Sequence, residues 1–295
     1  MRKKRESSGP GAARGRVLEK PMPELPEVET IIKTLAPRLV GKTIRQARVA
    51  RGDVIHPPGI DFGANVTGRT VSGLSRRGKR IIFELDDGRR FFIHLGMTGR
   101  LSLEKPSEIV LPHTHVFLEI DGAEVRFSDP RRFGGVWWLD QAAGDQGKFG
   151  PEPLTMRRSQ LAAGLNKTRR AVKTALLDQS VVAGLGNIYA DESLFEARID
   201  PRTRALDLTD RQMADLTRAI KLILRRALRH RGSTLRDYRD ADGNAGAFQK
   251  LHRVYDREGQ PCPRCKTAIT RIVLGGRSTH FCPKCQVAGR GIIRR

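Results

Sequence analysis

The chain has 295 residues, 38% of them hydrophobic, and carries 55 Lys and Arg against 32 Asp and Glu for a net charge of +23. That length asks for two lobes plus a small appendage rather than one core of ~100 to 150 residues, and no run of about 18 apolar residues or apolar signal stretch is present, so a cytoplasmic rather than membrane-spanning or secreted chain is expected. Residues 1–21 contribute only seven basic and two acidic side chains, so the remainder still carries +18; the excess points to a polyanion such as DNA or RNA, against the plainer reading of a well-solvated basic surface.

In chain order, residues 1–21 are rich in Arg, Lys, Gly and Ser with almost nothing to bury, and read as a disordered basic arm. A helix follows, with Pro26 suited to its first turn, Val28, Ile31, Ile32 and Leu35 at helical spacing, and Pro37 as the expected stop. From about Thr43 to Asp140 the period becomes strand-like, in Arg80 to Leu85, Phe91 to Leu95, His115 to Ile120 and Val136 to Leu139. Asp87-Gly88 and Asp121-Gly122 sit between such runs as hairpin turns, so a mostly antiparallel β lobe of two packed sheets is expected.

The helical period returns from about Pro151, in Arg170 to Leu177 and Asn187 to Ala197. It is clearest after Thr209, where Met213, Leu216, Ile220, Ile223, Leu224 and Leu228 form one stripe. Residues 231–250 are polar and Gly-rich, a long loop of the kind that is usually mobile or functional.

All four cysteines, Cys262, Cys265, Cys282 and Cys285, fall in the last 34 residues, spaced C-x2-C-x16-C-x2-C. Two such pairs supply four thiolates on two turns of a hairpin, which fits a closed structural Zn²⁺ site better than iron or a redox dithiol. Arg264, Lys266, Arg271, Arg277 and Lys284 crowd this hairpin, either as phosphate contacts or as ordinary surface charge.

Met22-Pro-Glu-Leu-Pro-Glu-Val-Glu-Thr30, taken alone, is a helix start with early prolines and acids near the positive helix end. It is followed by Arg76-Arg-Gly-Lys79, Ile93-His-Leu-Gly-Met-Thr-Gly99, Asp129-Pro-Arg-Arg-Phe-Gly134, Gly150-Pro-Glu-Pro-Leu154, Gly184-Leu-Gly-Asn-Ile-Tyr189 and the cysteines. This ordered set, over about residues 22 to 286, resembles the formamidopyrimidine-DNA glycosylases. The resemblance implies an α+β multidomain chain. It would comprise an antiparallel β-sandwich lobe with an N-terminal helix (23–150), a helix–two-turn–helix lobe (151–257) and a zinc-finger hairpin (258–287); a basic extension (1–22), expected to be absent from the mature enzyme, and a basic tail (288–295) depart from the family's pattern.

The activity implied is that of a bifunctional DNA glycosylase and lyase of base excision repair, acting on oxidised purines in damaged double-stranded DNA as a monomer near the nucleoid. Pro23 would be the amine nucleophile, Glu24 the acid that protonates the sugar ring oxygen, and Glu27 a further pocket carboxylate. Lys79, Asn187 and Arg277 match the phosphate clamp, with His94 and Arg132 as further DNA contacts, and Met97, Arg131 and Phe133 match the residues that fill the void left by a flipped nucleotide. Met97 and Phe133 also read as core or strand packing. Asn187 follows Gly184-x-Gly186 and opens a helix, a natural anion site or a plain cap.

The sister branch acting on oxidised pyrimidines, the endonuclease VIII type, is the nearest alternative, although Leu25 and Val28-Glu29 look more like the purine branch. A catalytically inactive DNA-damage binder is the other, because in the full chain Met22 acylates the nitrogen of Pro23.

Overall fold

The computed structural model describes residues 22–139, 148–235 and 238–286; the expectations for the basic arm 1–21 and the tail 288–295 lie outside these residues. Helix α1 spans Leu25–Leu39, with a proline in its first turn. The backbone N–H of Glu24, which has no intrahelical acceptor, donates to Glu27 Oε2 at 2.8 Å. The helix overruns the expected stop at Pro37 by two residues. A proline in the last turn removes one terminal bond, and Val40 N–H still closes on Ala36 O at 3.0 Å. The helix belongs to two cores at once: Val28, Ile31, Ile32 and Leu35 enter that of the β lobe, Leu25 that of the helical lobe.

The β lobe runs through β1 (Ile44–Val49), β2 (Ile55–His56), α2 (Phe62–Val66), β3 (Val71–Arg77), β4 (Arg80–Leu85), β5 (Arg90–His94), β6 (Arg100–Glu104), β7 (Thr114–Ile120), β8 (Ala123–Ser128) and β9 (Gly135–Leu139). They form two sheets, in the orders β1-β7-β8-β6 and β2-β9-β5-β4-β3, all antiparallel except β2 with β9. Asp121 and Gly122 both take positive φ, 45° and 78°, between paired Ile120 and Ala123. That is the two-residue turn whose twist suits a hairpin. Apolar side chains alternate inward, and Phe83 stacks on its cross-strand neighbour Phe91 within the five-stranded sheet, with centroids 4.6 Å apart.

The helical lobe contains α3 (Arg158–Leu165), α4 (Val172–Leu176), α5 (Asn187–Glu196) and α6 (Asp210–Arg229). Thr209 caps α6 by accepting from Gln212 N–H at 3.2 Å, and the expected stripe is buried except for half-buried Leu228. The last unit is the hairpin of β10 (Thr270–Leu274) and β11 (Arg277–Phe281).

Helix α5 ties this hairpin to the rest. Asp191 pairs with Lys173 and accepts the His280 N–H at 2.8 Å. Glu192 accepts the backbone N–H groups of Arg253, Val254 and Tyr255 at 3.0, 2.9 and 2.9 Å. No helix among the described residues is long and apolar enough to cross a membrane.

The described residues of segment 231–250 are docked rather than open. Asp240 folds it back by accepting from Asp242 N–H and Asn244 N–H at 3.1 and 2.8 Å. Ala241 is buried in the β-lobe core, Phe248 in the helical core, and Leu103 N–H donates to Ala241 O at 3.1 Å.

Candidate active site

The first turn of α1 meets the N-terminus of α5, bringing residues more than 160 positions apart into contact. Glu24 accepts from Gly186 N–H at 2.7 Å and Tyr189 N–H at 3.4 Å through Oε2, and from Ile188 N–H at 2.8 Å through Oε1. The anion position at this helix start, expected to serve a phosphate, is therefore filled by a side chain of the β lobe. Gly186 has to be glycine for this, since a Cβ would lie 2.4 Å from Glu24 Cδ. Glu27 accepts from Tyr189 Oη–H at 2.5 Å and from Ser233 N–H at 2.7 Å.

Both carboxylates are buried. Burial pushes Glu24 up to about 7, against the pull of the Lys79 ammonium and with a further push from Glu27. Burial raises Glu27 as well, its hydrogen bonds from Tyr189 and Ser233 opposing. Lys79, also buried, is held below the ordinary lysine range by desolvation, with Glu24 and Glu27 opposing. A carboxyl that exchanges its proton near neutral pH beside a buried ammonium has the properties of a general acid–base centre.

Two sequence motifs hold Lys79 in place by binding each other. Glu152 accepts from Gly78 N–H at 2.8 Å and from Arg77 Nη1 at 3.0 Å, and pairs with Arg76 Nη1 at 2.7 Å. Arg76 also donates to Glu29 at 2.9 Å. The turn between β3 and β4 is thereby fastened to the start of the helical lobe.

Glu24, Lys79, His94, Met97, Phe133, Asn187 and Arg277 all line one cleft of about 650 Å³ between the lobes, together with Met22. Pro23 is buried next to Glu24. His94 Nδ1 accepts the Gly96 N–H at 3.1 Å. Desolvation, then Lys79 and Arg80, push its ring down to about 4, so it is neutral with the proton on Nε2, a fixed donor. Asn187 donates to Ser278 Oγ at 3.2 Å, at the start of β11 beside Arg277.

Asp129, fully buried, joins the other two turns. Its carboxylate accepts from Thr98 Oγ1, from Arg131 N–H at 3.2 Å and from Gly134 N–H at 2.8 Å. Met97 and Phe133 project from these turns. The guanidinium of Arg131 lies 4.5 Å over the Phe133 ring and 3.9 Å from Met97 Sδ. Phe133 is 54% exposed, which removes the reading of it as strand packing. Arg132 turns away to pair with Asp53.

Sequence reasoning missed Arg80, whose guanidinium lies 4.1 Å over Phe92 and 4.5 Å over Phe149. It also missed Tyr255, on the cleft wall with its hydroxyl pushed up by burial. Tyr189 stood in a quoted motif without a role. Arg80 is adjacent to Lys79 in sequence; for Tyr255 no local pattern signals the cleft.

The Sγ atoms of Cys262, Cys265, Cys282 and Cys285 lie within 4.8 Å of one another. Four Zn–S bonds of about 2.3 Å in a tetrahedron require S···S near 3.8 Å, so the cluster fits Zn²⁺ with little adjustment. Four thiolates leave no open coordination position, which makes the ion structural.

The formamidopyrimidine-DNA glycosylase N-terminal domain matches residues 22–136, the H2TH domain of the same enzymes residues 149–239, and the zinc finger found in FPG and IleRS residues 259–287. The chain belongs to the formamidopyrimidine-DNA glycosylase family. The formamidopyrimidine-DNA glycosylase of Chloroflexus aggregans is 45% identical over 272 residues, 90% of this chain and 99% of that protein. The Geobacillus kaustophilus enzyme is likewise 45% identical over 274 residues, 90% of this chain and all (100%) of that one. Among solved structures, the MutM (FPG) protein of Thermus thermophilus is 41% identical, with a TM-score of 0.82 covering 90% of this chain and 100% of that one. Lactococcus lactis Fpg in complex with abasic-site DNA is 34% identical, with a TM-score of 0.82 over 90% and 99%. The zinc-finger match includes all four cysteines, so this glycosylase-family chain carries one structural zinc.

Proposed function

We propose that this protein is a bifunctional DNA glycosylase and abasic-site lyase of base excision repair that removes oxidised purines, 8-oxoguanine and formamidopyrimidines, from duplex DNA. The observation that carries this reading is the seat of Glu24. A carboxyl with a raised pKa stands beside Pro23 and Lys79 at the floor of a basic cleft shared by the lobes.

In this mechanism residues 1–22 are removed, and the freed secondary amine of Pro23, near ~7.7 to 8.0 as an α-amino group, is partly neutral at cellular pH. Its lone pair forms a bond to the sugar C1′ as the bond to the damaged base breaks and the base departs with the electron pair. The Pro23 nitrogen gives up its own proton to the departing base, and Glu24 gives its proton to the ring oxygen as the C1′–O bond breaks, which opens the sugar and leaves an iminium ion. That cation withdraws electrons from C2′, so loss of the C2′ proton expels the 3′ phosphate, and a second elimination expels the 5′ phosphate. Lys79, His94, Asn187 and Arg277 hold phosphates; Met97, Arg131 and Phe133 fill the vacated stack, with Arg131 toward the orphaned base. The protein would act as a monomer, with units at 23–150, 151–257 and 258–287.

Met22 lies in the cleft itself, which favours a second reading for the uncut chain. With the Pro23 nitrogen in a tertiary amide it would bind DNA damage without chemistry. The test compares protein beginning at Pro23 with protein verified by mass to carry residues 1–22, on duplex DNA containing 8-oxoguanine opposite cytosine with borohydride present. The first should be joined covalently to DNA and the second should not. Efficient trapping by the longer form would overturn the assignment of Pro23.

A further inference from the structure

Helix α6 carries six basic and two acidic side chains. Both acids are engaged, Asp210 with Arg158 at 3.4 Å and Asp215 with Arg218 at 3.0 Å. Among the described residues, Arg211, Arg225 and Arg229 have no carboxylate partner, and all three are exposed, as is Arg218. Positions 211, 218 and 225 recur every seven residues and 229 follows one turn later, so the four share one outward face. At 1.5 Å rise per residue the row is about 27 Å long.

Helix stability does not account for this row. Lys221 with Arg225, and Arg225 with Arg229, are like charges at i,i+4, which oppose the helix. Arg211 sits in the first turn, where the helix dipole disfavours a cation, and only the arginines of the last turn are favoured by it. The basic surface continues past both ends. Arg198, Arg211 and Arg218, with Glu196 and Asp215, line one groove of about 290 Å³, and Arg226, Arg229, His230 and the Glu196-paired Arg253, with Glu192, line another of about 280 Å³, so the bases outnumber the acids in both. No residue of α6 lines the cleft between the lobes.

We propose that the outward face of α6 is a second DNA-binding surface, which holds a neighbouring duplex while the cleft holds the damaged one. The fit is one of charge and shape. A row of permanent cations about 27 Å long runs along a stretch of duplex that carries roughly sixteen phosphate charges, both strands counted, at about one per 1.7 Å of axis. Guanidinium forks suit phosphate oxygens. Contact of this kind reads the backbone and not the sequence, so it gives a weak, salt-sensitive grip from which the protein passes between DNA segments during search. The inference rests on DNA occupying the cleft, and not on the chemistry performed there.

The test uses the protein with its cleft filled by an unlabelled short duplex carrying a stable abasic-site analogue. A fluorescent undamaged duplex of about 20 base pairs is then titrated by anisotropy over a range of salt. Wild type should recruit this second duplex. Arg218→Glu/Arg225→Glu/Arg229→Glu should weaken that recruitment at least about tenfold and reduce its salt slope by roughly two to three units, while excision from a short damaged duplex is unchanged. Arg218→Gln/Arg225→Gln/Arg229→Gln should show the same direction with a smaller loss, and carries the test if the Glu variant does not melt like wild type. The proposal is overturned if the filled wild-type complex recruits no second duplex, if the variants recruit it equally, or if excision from the short duplex falls by the same factor.

Discussion

Lys173 and Asp191 form an ion pair 2.6 Å long in which neither side chain has any solvent exposure. Each also bonds to the same strand: Lys173 Nζ donates to Ser278 O at 2.5 Å and Asp191 accepts from His280 N–H at 2.8 Å. That strand begins at Arg277, so the pair mounts the zinc hairpin's contribution to the cleft. Asp191→Ala strands a buried ammonium and should cost about 3–5 kcal/mol, whereas Lys173→Met with Asp191→Leu removes both charges and should cost less, about 1–3 kcal/mol for the His280 N–H left unpaired. In thermal unfolding the double variant should recover part of the stability lost by the single one. Its DNA affinity should nonetheless stay below wild type, since the polar tether to β11 is gone.

The proton on Glu24 gives a pH dependence with a definite sign. Its pKa is raised by burial from 4.5 in the unfolded chain to about 7, so the folded state binds the proton more tightly. Stability from this group is fully present below about 4.5 and is lost as pH rises through about 7. Glu24→Gln should flatten that part of the stability profile while abolishing base excision. In the enzyme that begins at Pro23, single-turnover excision should be bell-shaped, rising as the Pro23 amine loses its proton and falling above about 8, once Glu24 has lost the proton it must give. An excision rate that keeps rising above pH 8 would show that this proton is not used.

How far the sequence anticipated this arrangement depends on distance along the chain. Helix α6 was legible because its cap, Thr209, and its stripe from Met213 to Leu224 are properties of one element. The Asp121-Gly122 hairpin and the four cysteines were legible for the same reason. Periodicity reports which face of an element is apolar but not which element it meets. The donors at the start of α5 therefore read as a phosphate site when Glu24, 162 residues from Gly186, already fills it. Likewise Arg76 and Glu152 stood in two recognisable motifs whose mutual bond appears only in the fold. Tyr255 reaches the cleft by packing, which leaves no local trace, whereas Arg80 is marked only by standing next to Lys79.

Phosphate contacts and stack-filling residues should separate experimentally. Lys79→Ala and Arg277→Ala should weaken binding to any duplex and lower the salt slope by roughly one unit each. Met97→Ala and Phe133→Ala should spare binding to an abasic single strand and slow excision from duplex, because only the duplex has a stack to fill. Fluorescence titration on both substrates beside single-turnover excision distinguishes the pairs. Four variants with one shared pattern of loss would contradict the division.

The docking of segment 231–250 is testable through two glycines that share a backbone conformation. Gly232 and Gly243 have φ of 78° and 82°, so alanine at either carries the left-handed strain of about 1–2 kcal/mol. Their surroundings differ. A Cβ at Gly243 meets only Arg100 Nη2 at 3.9 Å, while a Cβ at Gly232 falls 2.5 Å from Glu27 Oε1. Glu27 cannot retreat freely, since it holds the Tyr189 hydroxyl, the Ser233 N–H and the Glu24 N–H. Gly243→Ala should therefore lose about 1–2 kcal/mol in chemical denaturation with excision intact. Gly232→Ala should lose more, and should also slow excision, because displacing Glu27 releases the backbone at Glu24 beside Pro23. Equal losses of stability with full activity in both would mean that Glu27 is not pinned by this segment.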